Sequence, residues 1–199
     1  MKITLGTTRA ICCLAVLFLL FGCVAQELRE EDRNKITVLK INPYIRKVSN
    51  FYYFGPGSSK ELLDYAEKNG ILIEKIVLQE ISIAIRQSGK VKLSDSADTN
   101  IPLLNVYLIQ YGFSIPHGFN WDFVPLLSIV CEIIDARGKI LWRDKNGVSP
   151  LRNPVDPIPR EKLLSSPKVI EDAWRTAAKQ IAKNIVEGLE RQLDQPHTQ

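Results

Sequence analysis

Histidine, the commonest side chain at metal sites and in acid–base catalysis, is scarce in this sequence of 199 residues. The sequence has two histidines, His117 and His197, and neither has a second ligand at the spacing of a metal site. The G-x-S-x-G motif of a nucleophile elbow is absent. Gly55-Pro56-Gly57 does not match a phosphate-binding loop, because Pro56 lacks an N–H and no Lys-Ser/Thr pair follows. We therefore predict a protein that is not an enzyme and that needs no metal and no cofactor.

A surplus of positive charge is also missing. The formal net charge is +4, and Lys2 and Arg9 supply two of those charges within the first 22 residues. The remainder of the chain is close to neutral. Nucleic-acid binding requires a concentrated basic face, so we expect no nucleic-acid partner.

No apolar run at the amino terminus is long enough to cross a bilayer. The uninterrupted apolar stretch, 10–21, follows Lys2 and Arg9 and has about 12 residues, whereas a spanning helix needs about 20. A positive segment followed by an apolar run of this length is typical of a signal peptide, which we predict over 1–22.

The end of this segment, Leu20-Phe21-Gly22-Cys23, resembles the lipobox of bacterial lipoproteins. The resemblance implies that Cys23 receives a diacylglyceryl thioether, becomes the first residue after cleavage and is then N-acylated with a fatty acid such as palmitate. Two or more acyl chains anchor a protein stably to a membrane. Val24 follows in place of the Asp that resembles an inner-membrane retention signal in enterobacteria. We therefore expect a lipid-anchored protein of the bacterial envelope that faces the periplasm. The residue after Cys23 favours the outer membrane over the inner membrane, and the choice between the two stays open.

The cysteines exclude a disulfide within the mature chain. Cys12 and Cys13 leave with the signal, Cys23 is the acylation site, and Cys131 remains alone in an apolar stretch. We interpret Cys131 as a small buried hydrophobic residue.

The apolar patterns of the mature chain predict one α+β domain with the order β-α-β-β-β-β-α. Its mainly antiparallel sheet has four to five strands, and two principal helices cover one face. We predict a lipidated Cys23 and charged tether over 23–35, a single domain over 36–193 and a disordered tail over 194–199. Strands are expected at 36–41, 91–93, 103–115, 126–135 and 140–143. Helices are expected at 58–68, 71–88 and 167–193, and loops at 43–58 and 144–166.

The segment 129–142 has the sequence IVCEIIDARGKILW, an apolar strand ending in Asp, a glycine turn and a strand ending in Trp. Together with the helix before it and the amphipathic helix after it, it resembles the periplasmic α/β module of the curli-secretion lipoprotein and of the amino-terminal domain of the Tol-system propeller protein. The resemblance implies a fold and an envelope setting, and no shared catalytic residues. We interpret Asp135 and Gly138 as turn residues and Trp142 as a core residue under the helices.

Two aromatic clusters are candidates for contact with a partner. The first is Phe51, Tyr52, Tyr53 and Phe54, and the second surrounds Trp121. Aromatic side chains on loops favour partner surfaces or a membrane interface. The alternative is that the rings fold back onto the sheet.

These observations favour a non-catalytic accessory or scaffold component of an envelope complex, with an envelope protein as its partner. The alternative is a lipoprotein that binds a lipid or glycan on an uncovered face of the sheet. The residues that we expect to line such a groove are Leu104, Val106, Leu108, Ile129, Cys131 and Ile133. The partner, the pathway and the oligomeric state stay open.

Overall fold

The computed structural model describes residues 26–48, 51–53, 59–114, 122–149 and 155–195. The helices are α1 (Glu30–Arg33), α2 (Ser59–Lys68), α3 (Ile73–Ser88), α4 (Arg160–Leu163) and α5 (Pro167–Leu193), with a 3-10 turn at Asn34–Ile36. The strands are β1 (Val38–Ile41), β2 (Arg46–Lys47), β3 (Phe51–Tyr53), β4 (Lys92–Leu93), β5 (Leu103–Ser114), β6 (Val124–Ile134) and β7 (Ile140–Val148). The α+β class is confirmed.

The strands form one sheet in the order β4-β1-β5-β6-β7. The pairs β5–β6 and β6–β7 are antiparallel, and β4–β1 and β1–β5 are parallel. β2 and β3 also pair with β5 in parallel, further along the edge on which β1 lies. β1, β2 and β3 therefore act as one interrupted strand beside β5.

The core lies between one face of the sheet and the two long helices, α3 and α5. Alternate residues of β5 and β6 face the helices, as the twofold period of a strand requires. Where β5 approaches its end, Phe113 of β5 stacks on Trp174 of α5 with ring centroids 5.6 Å apart. Trp174 Nε1 donates to the Gly112 carbonyl at 3.4 Å, so the buried indole keeps a hydrogen-bond partner.

Local capping signals explain where α3 ends and where α5 begins. Gly89 has a φ of 73°, a left-handed conformation that glycine adopts without strain, and it ends α3. The Ser166 side chain accepts a hydrogen bond from the Lys168 N–H, and Pro167 occupies the first turn of α5. Both predicted helix ends are confirmed, although α3 begins at Ile73, two residues later than expected.

The predicted turn between β6 and β7 is confirmed. The Asp135 carboxylate accepts from the backbone N–H groups of Arg137 and Lys139, both at 2.9 Å. Gly138 has a φ of 79°. Trp142 is buried, as predicted for a core residue. The interpretation of Asp135, Gly138 and Trp142 as structural residues is therefore confirmed.

The helices α3 and α5 run in parallel. Arg175, early in α5, binds Glu80 in the middle of α3, and Lys90, just after α3, pairs with Asp194 at the end of α5. Their carboxyl ends therefore lie at the same end of the domain.

We call residues 26–36 the strap. The strap end comprises the strap, the β6–β7 turn and the carboxyl end of α5; the opposite end is the far end.

The predicted charged tether is wrong for the part of it that the structure describes, 26–35. Gln26 exchanges two backbone hydrogen bonds with Arg143 of β7, and Leu28 and Asp32 are buried. The segment folds onto the domain because Leu28 and Ile36 join the apolar core. The predicted disordered tail also begins too early, since Asp194 pairs with Lys90 and Gln195 accepts from Arg33.

The loops predicted at 43–58 and 144–166 are wrong in part. The first contains β2 and β3, which pair with the long strand β5 and have too few residues to show a period of their own. The second contains the end of β7, which continues to Val148, and the short helix α4. The polar residues of β7 lie on an edge strand, where exposed positions do not need apolar side chains.

Candidate functional site

The candidate contact residues fall at the far end, so far as the structure describes them. The backbone of Phe51, Tyr52 and Tyr53 forms β3, which pairs with Tyr111, Gly112 and Phe113 near the end of β5. The expectation of a loop at these three residues is wrong. Phe54, Trp121 and the acylation candidate Cys23 lie outside the described residues.

The topology brings together the points from which the two aromatic segments leave the sheet. β3 ends at Tyr53, which pairs with Phe113, and β5 ends at Ser114, which pairs with Val124 at the start of β6. Segment 54–58 follows β3, and segment 115–121 joins β5 to β6. Chain connectivity therefore starts Phe54 and the segment that contains Trp121 from neighbouring strand ends.

The strap end is held by hydrogen bonds to elements that are distant in sequence. The Gln26 side-chain amide donates to the Ile140 carbonyl at 2.8 Å, and the Leu28 N–H donates to Gln192 Oε1 at 2.6 Å. Arg33 donates from its guanidinium to Gln195 Oε1 at 3.2 Å. The strap is thus fixed to both β7 and the last turn of α5.

A buried carboxylate joins the strap to the β6–β7 turn. The Asp32 side chain is 0% exposed, and its oxygens accept from Lys35 Nζ at 2.5 Å and Lys139 Nζ at 2.7 Å. Burial alone raises the pKa of this carboxyl, but the hydrogen bonds from Lys139 and Lys35 outweigh it, and the pKa lies below its ordinary value. The same hydrogen bond raises the pKa of Lys139.

Sequence reasoning missed Asp32. It lies in a run of charged residues, and Lys139 is 107 positions away along the chain. The one local signal is Lys35, three residues later, which is a common spacing on any helix surface.

The six residues predicted to line an apolar groove do not line one. Leu104, Val106, Leu108, Ile129, Cys131 and Ile133 are at most 3% exposed and belong to the core. Their alternation in β5 and β6 is the alternation that packs a sheet against helices, and the two arrangements have the same sequence pattern.

The other face of the sheet is polar where β5, β6 and β7 cross it. Glu132 is 7% exposed and forms an ion pair with Arg143, its cross-strand neighbour. Burial and a hydrogen bond to Glu132 raise the pKa of Tyr107. Glu132 of β6 thus joins side chains of both neighbouring strands, Arg143 of β7 and Tyr107 of β5.

A groove of about 460 Å³ runs between α3 and α5 on the side away from the sheet. Its walls carry acids and lysines of opposite sign around a few apolar side chains. They are Glu80, Ile83, Ala84, Gln87, Ser88, Lys179, Lys183, Val186, Glu187 and Glu190. Near one end of the groove, Arg175 bridges Glu80 of α3 and Glu171 of α5, at 2.8 Å to each. The ion pairs of Arg175 join the two helices, and none of the residues that line the groove is a histidine.

Other chemistry is limited within the described residues. Cys131 is buried, and burial raises the pKa of its thiol, which keeps it in the unreactive protonated form. Among the described residues there is no cluster of three His, Cys, Asp or Glu side chains suited to a metal ion. None of the helices in the described ranges combines the length and the apolarity that a membrane-spanning segment requires.

Comparisons with known proteins give structural likenesses only. No family model matches the chain, and no curated protein matches it. A hypothetical protein from Chlamydia trachomatis is 13% identical, with 79% of this chain and 97% of that chain covered and a TM-score of 0.46. A minor lipoprotein from Acinetobacter baumannii is 11% identical, with coverages of 78% and 94% and a TM-score of 0.38. The PelC dodecamer from Paraburkholderia phytofirmans is 12% identical, with coverages of 83% and 94% and a TM-score of 0.35.

Proposed function

We propose that this protein is a lipid-anchored bacterial lipoprotein that acts as a non-catalytic accessory or scaffold component of a cell-envelope complex. The observation that carries the anchor is Leu20-Phe21-Gly22-Cys23 directly after a positive segment and an apolar run of signal-peptide length. The scaffold role is supported by what the described residues offer chemically, namely ion pairs that join elements, and a thiol buried in the core.

A substitution at Cys23 tests the anchor, because the proposed lipid is attached through the sulfur of this residue. Cys23→Ser removes the thioether, so labelled palmitate should no longer enter the protein, and the protein should move from the membrane fraction to the soluble fraction. Cys13→Ser changes a cysteine of the same leader that lies outside the lipobox, and it should retain both the label and the membrane location. An unlabelled wild-type protein, or unchanged fractionation of Cys23→Ser, contradicts the proposal.

The partner is proposed to contact the aromatic candidates Phe51, Tyr52, Tyr53, Phe54 and Trp121. Support comes from the neighbouring strand ends from which both segments start. A crosslinking amino acid at position 121 in intact cells should capture one defined envelope protein, and Phe54→Ser should weaken that capture.

Tyr44→Ser is the matched control for this experiment. Tyr44 is an aromatic residue that is 81% exposed, outside both candidate segments. Its replacement should leave both the capture and the thermal midpoint unchanged. Equal capture by the wild type, Phe54→Ser and Tyr44→Ser contradicts a contact at the far end.

A further inference from the structure

We propose that the strap end of the domain lies against the lipid headgroups of the membrane that holds the anchor, with the far end directed away from it. This inference rests on the proposed acylation of Cys23. Two residues, Val24 and Ala25, separate Cys23 from Gln26, the first residue that the structure describes, so three Cα-to-Cα steps join them. A fully extended chain covers at most about 3.6 Å per residue, so the two Cα atoms are at most about 11 Å apart.

The short link limits the position of the domain only if Gln26 itself is fixed, and the structure fixes it. Its backbone N–H donates to the Arg143 carbonyl at 3.0 Å, and its carbonyl accepts from the Arg143 N–H at 3.1 Å. Two residues on, Leu28 is 4% exposed within the core. The link therefore ends at a residue that is hydrogen-bonded to β7.

The exposed side chains of the strap end suit contact with headgroups rather than insertion among acyl chains. Arg29 and Glu31 are 65% and 68% exposed, and Lys139 of the β6–β7 turn is 40% exposed. The four exposed large apolar residues of the described ranges are Tyr44, Val48, Ile83 and Leu164, none of which belongs to the strap end. Since both signs of charge are present, the covalent link and not electrostatic attraction sets the contact.

Helix α5 provides a ruler for the experiment. It has 27 residues, and at 1.5 Å per residue its first residue lies about 39 Å from its last. Lys168 in the first turn and Arg137 in the β6–β7 turn are both exposed basic residues, at opposite ends of the domain. They form a matched pair of labelling positions, and the buried thiol of Cys131 is protected from labelling reagents.

The experiment places a fluorophore on Arg137→Cys or Lys168→Cys in the full-length acylated protein, reconstituted into phosphatidylcholine vesicles. A short-range quencher is attached to the lipid headgroups. We expect loss of most of the fluorescence at position 137 and no loss at position 168. Adding anionic lipid or salt should change neither result.

A third variant distinguishes contact that the short link imposes from non-specific adsorption of the domain to the vesicle. Insertion of about 12 Gly/Ser residues between Ala25 and Gln26 lengthens the link to a root-mean-square span of about 20 Å. Quenching at position 137 should fall while palmitate incorporation stays the same. Equal quenching at the two positions, or quenching that the insertion leaves unchanged, overturns the inference in a protein that still incorporates palmitate. Absence of palmitate overturns the proposed function instead.

Discussion

The two ends of this domain are stabilised by different chemistry. Toward the far end, large aromatic rings pack between the sheet and α5, as Phe113 does on Trp174. At the strap end, a peripheral segment is held by backbone hydrogen bonds, the buried apolar side chains of Leu28 and Ile36, and one buried carboxylate. The comparison teaches that a charged segment at the start of a domain can belong to its fold when a few of its residues have partners on the sheet. Three substitutions test how differently the two ends contribute to the free energy of unfolding.

The largest effect is expected in the aromatic part of the core. Trp174→Ala removes a fully buried indole and its stacking on Phe113, and it should lower the free energy of unfolding by about 3–5 kcal/mol. Urea unfolding followed by circular dichroism measures the change. Tyr44→Ala is the control, because its ring is 81% exposed and its loss should change stability by less than about 0.5 kcal/mol. Similar losses for the two variants contradict the packing described for Trp174.

A smaller effect is expected where the strap meets the core. Leu28→Ala should lower the free energy of unfolding by about 2 kcal/mol, the low end for a buried leucine, because a peripheral segment can relax into the space. The backbone amides of Gln26 and Arg143 should also exchange hydrogen faster. Leu164→Ala, at a leucine that is 53% exposed, should have little effect on either measurement. If Leu28→Ala changes the free energy of unfolding as little as Leu164→Ala does, the strap does not unfold together with the domain.

The sequence predicts the parts of this fold whose signals are local. The β6–β7 turn follows from Asp135 and Gly138, and the start of α5 follows from Ser166 and Pro167. Each signal lies within a few residues of the structure that it specifies, so no tertiary information is needed.

The strap and the short edge strands could not be predicted in the same way. Asp32 is buried because Lys139 and Lys35 bind it, and only the fold brings Lys139 near. β2 and β3 have two and three residues, which is too short for any periodic pattern, and their partner β5 lies about sixty residues further along the chain. The aromatic candidates followed from clusters of rings in segments predicted as loops, and such clusters do not reveal that Phe51–Tyr53 pairs with β5.

The smallest effect is expected from the buried carboxylate, and its pH dependence identifies the cause. Asp32→Asn retains the shape but removes the charge that binds Lys139 and Lys35. Charge-assisted hydrogen bonds contribute about 1.5–3 kcal/mol when buried, and since both ammonium groups are partly exposed, we expect a loss of about 1 kcal/mol at neutral pH.

The native pKa of Asp32 is lowered from an ordinary value of 3.8, so the charged carboxylate stabilises the fold at any pH well above that value. Its contribution disappears as the pH falls below 3.8 and through the lowered pKa of the folded state. The difference in unfolding free energy between the wild type and Asp32→Asn should therefore be constant from neutral pH to about pH 5 and should close in stronger acid. A difference that persists in acid would mean that the shape of the side chain, and not its charge, joins the strap to the β6–β7 turn.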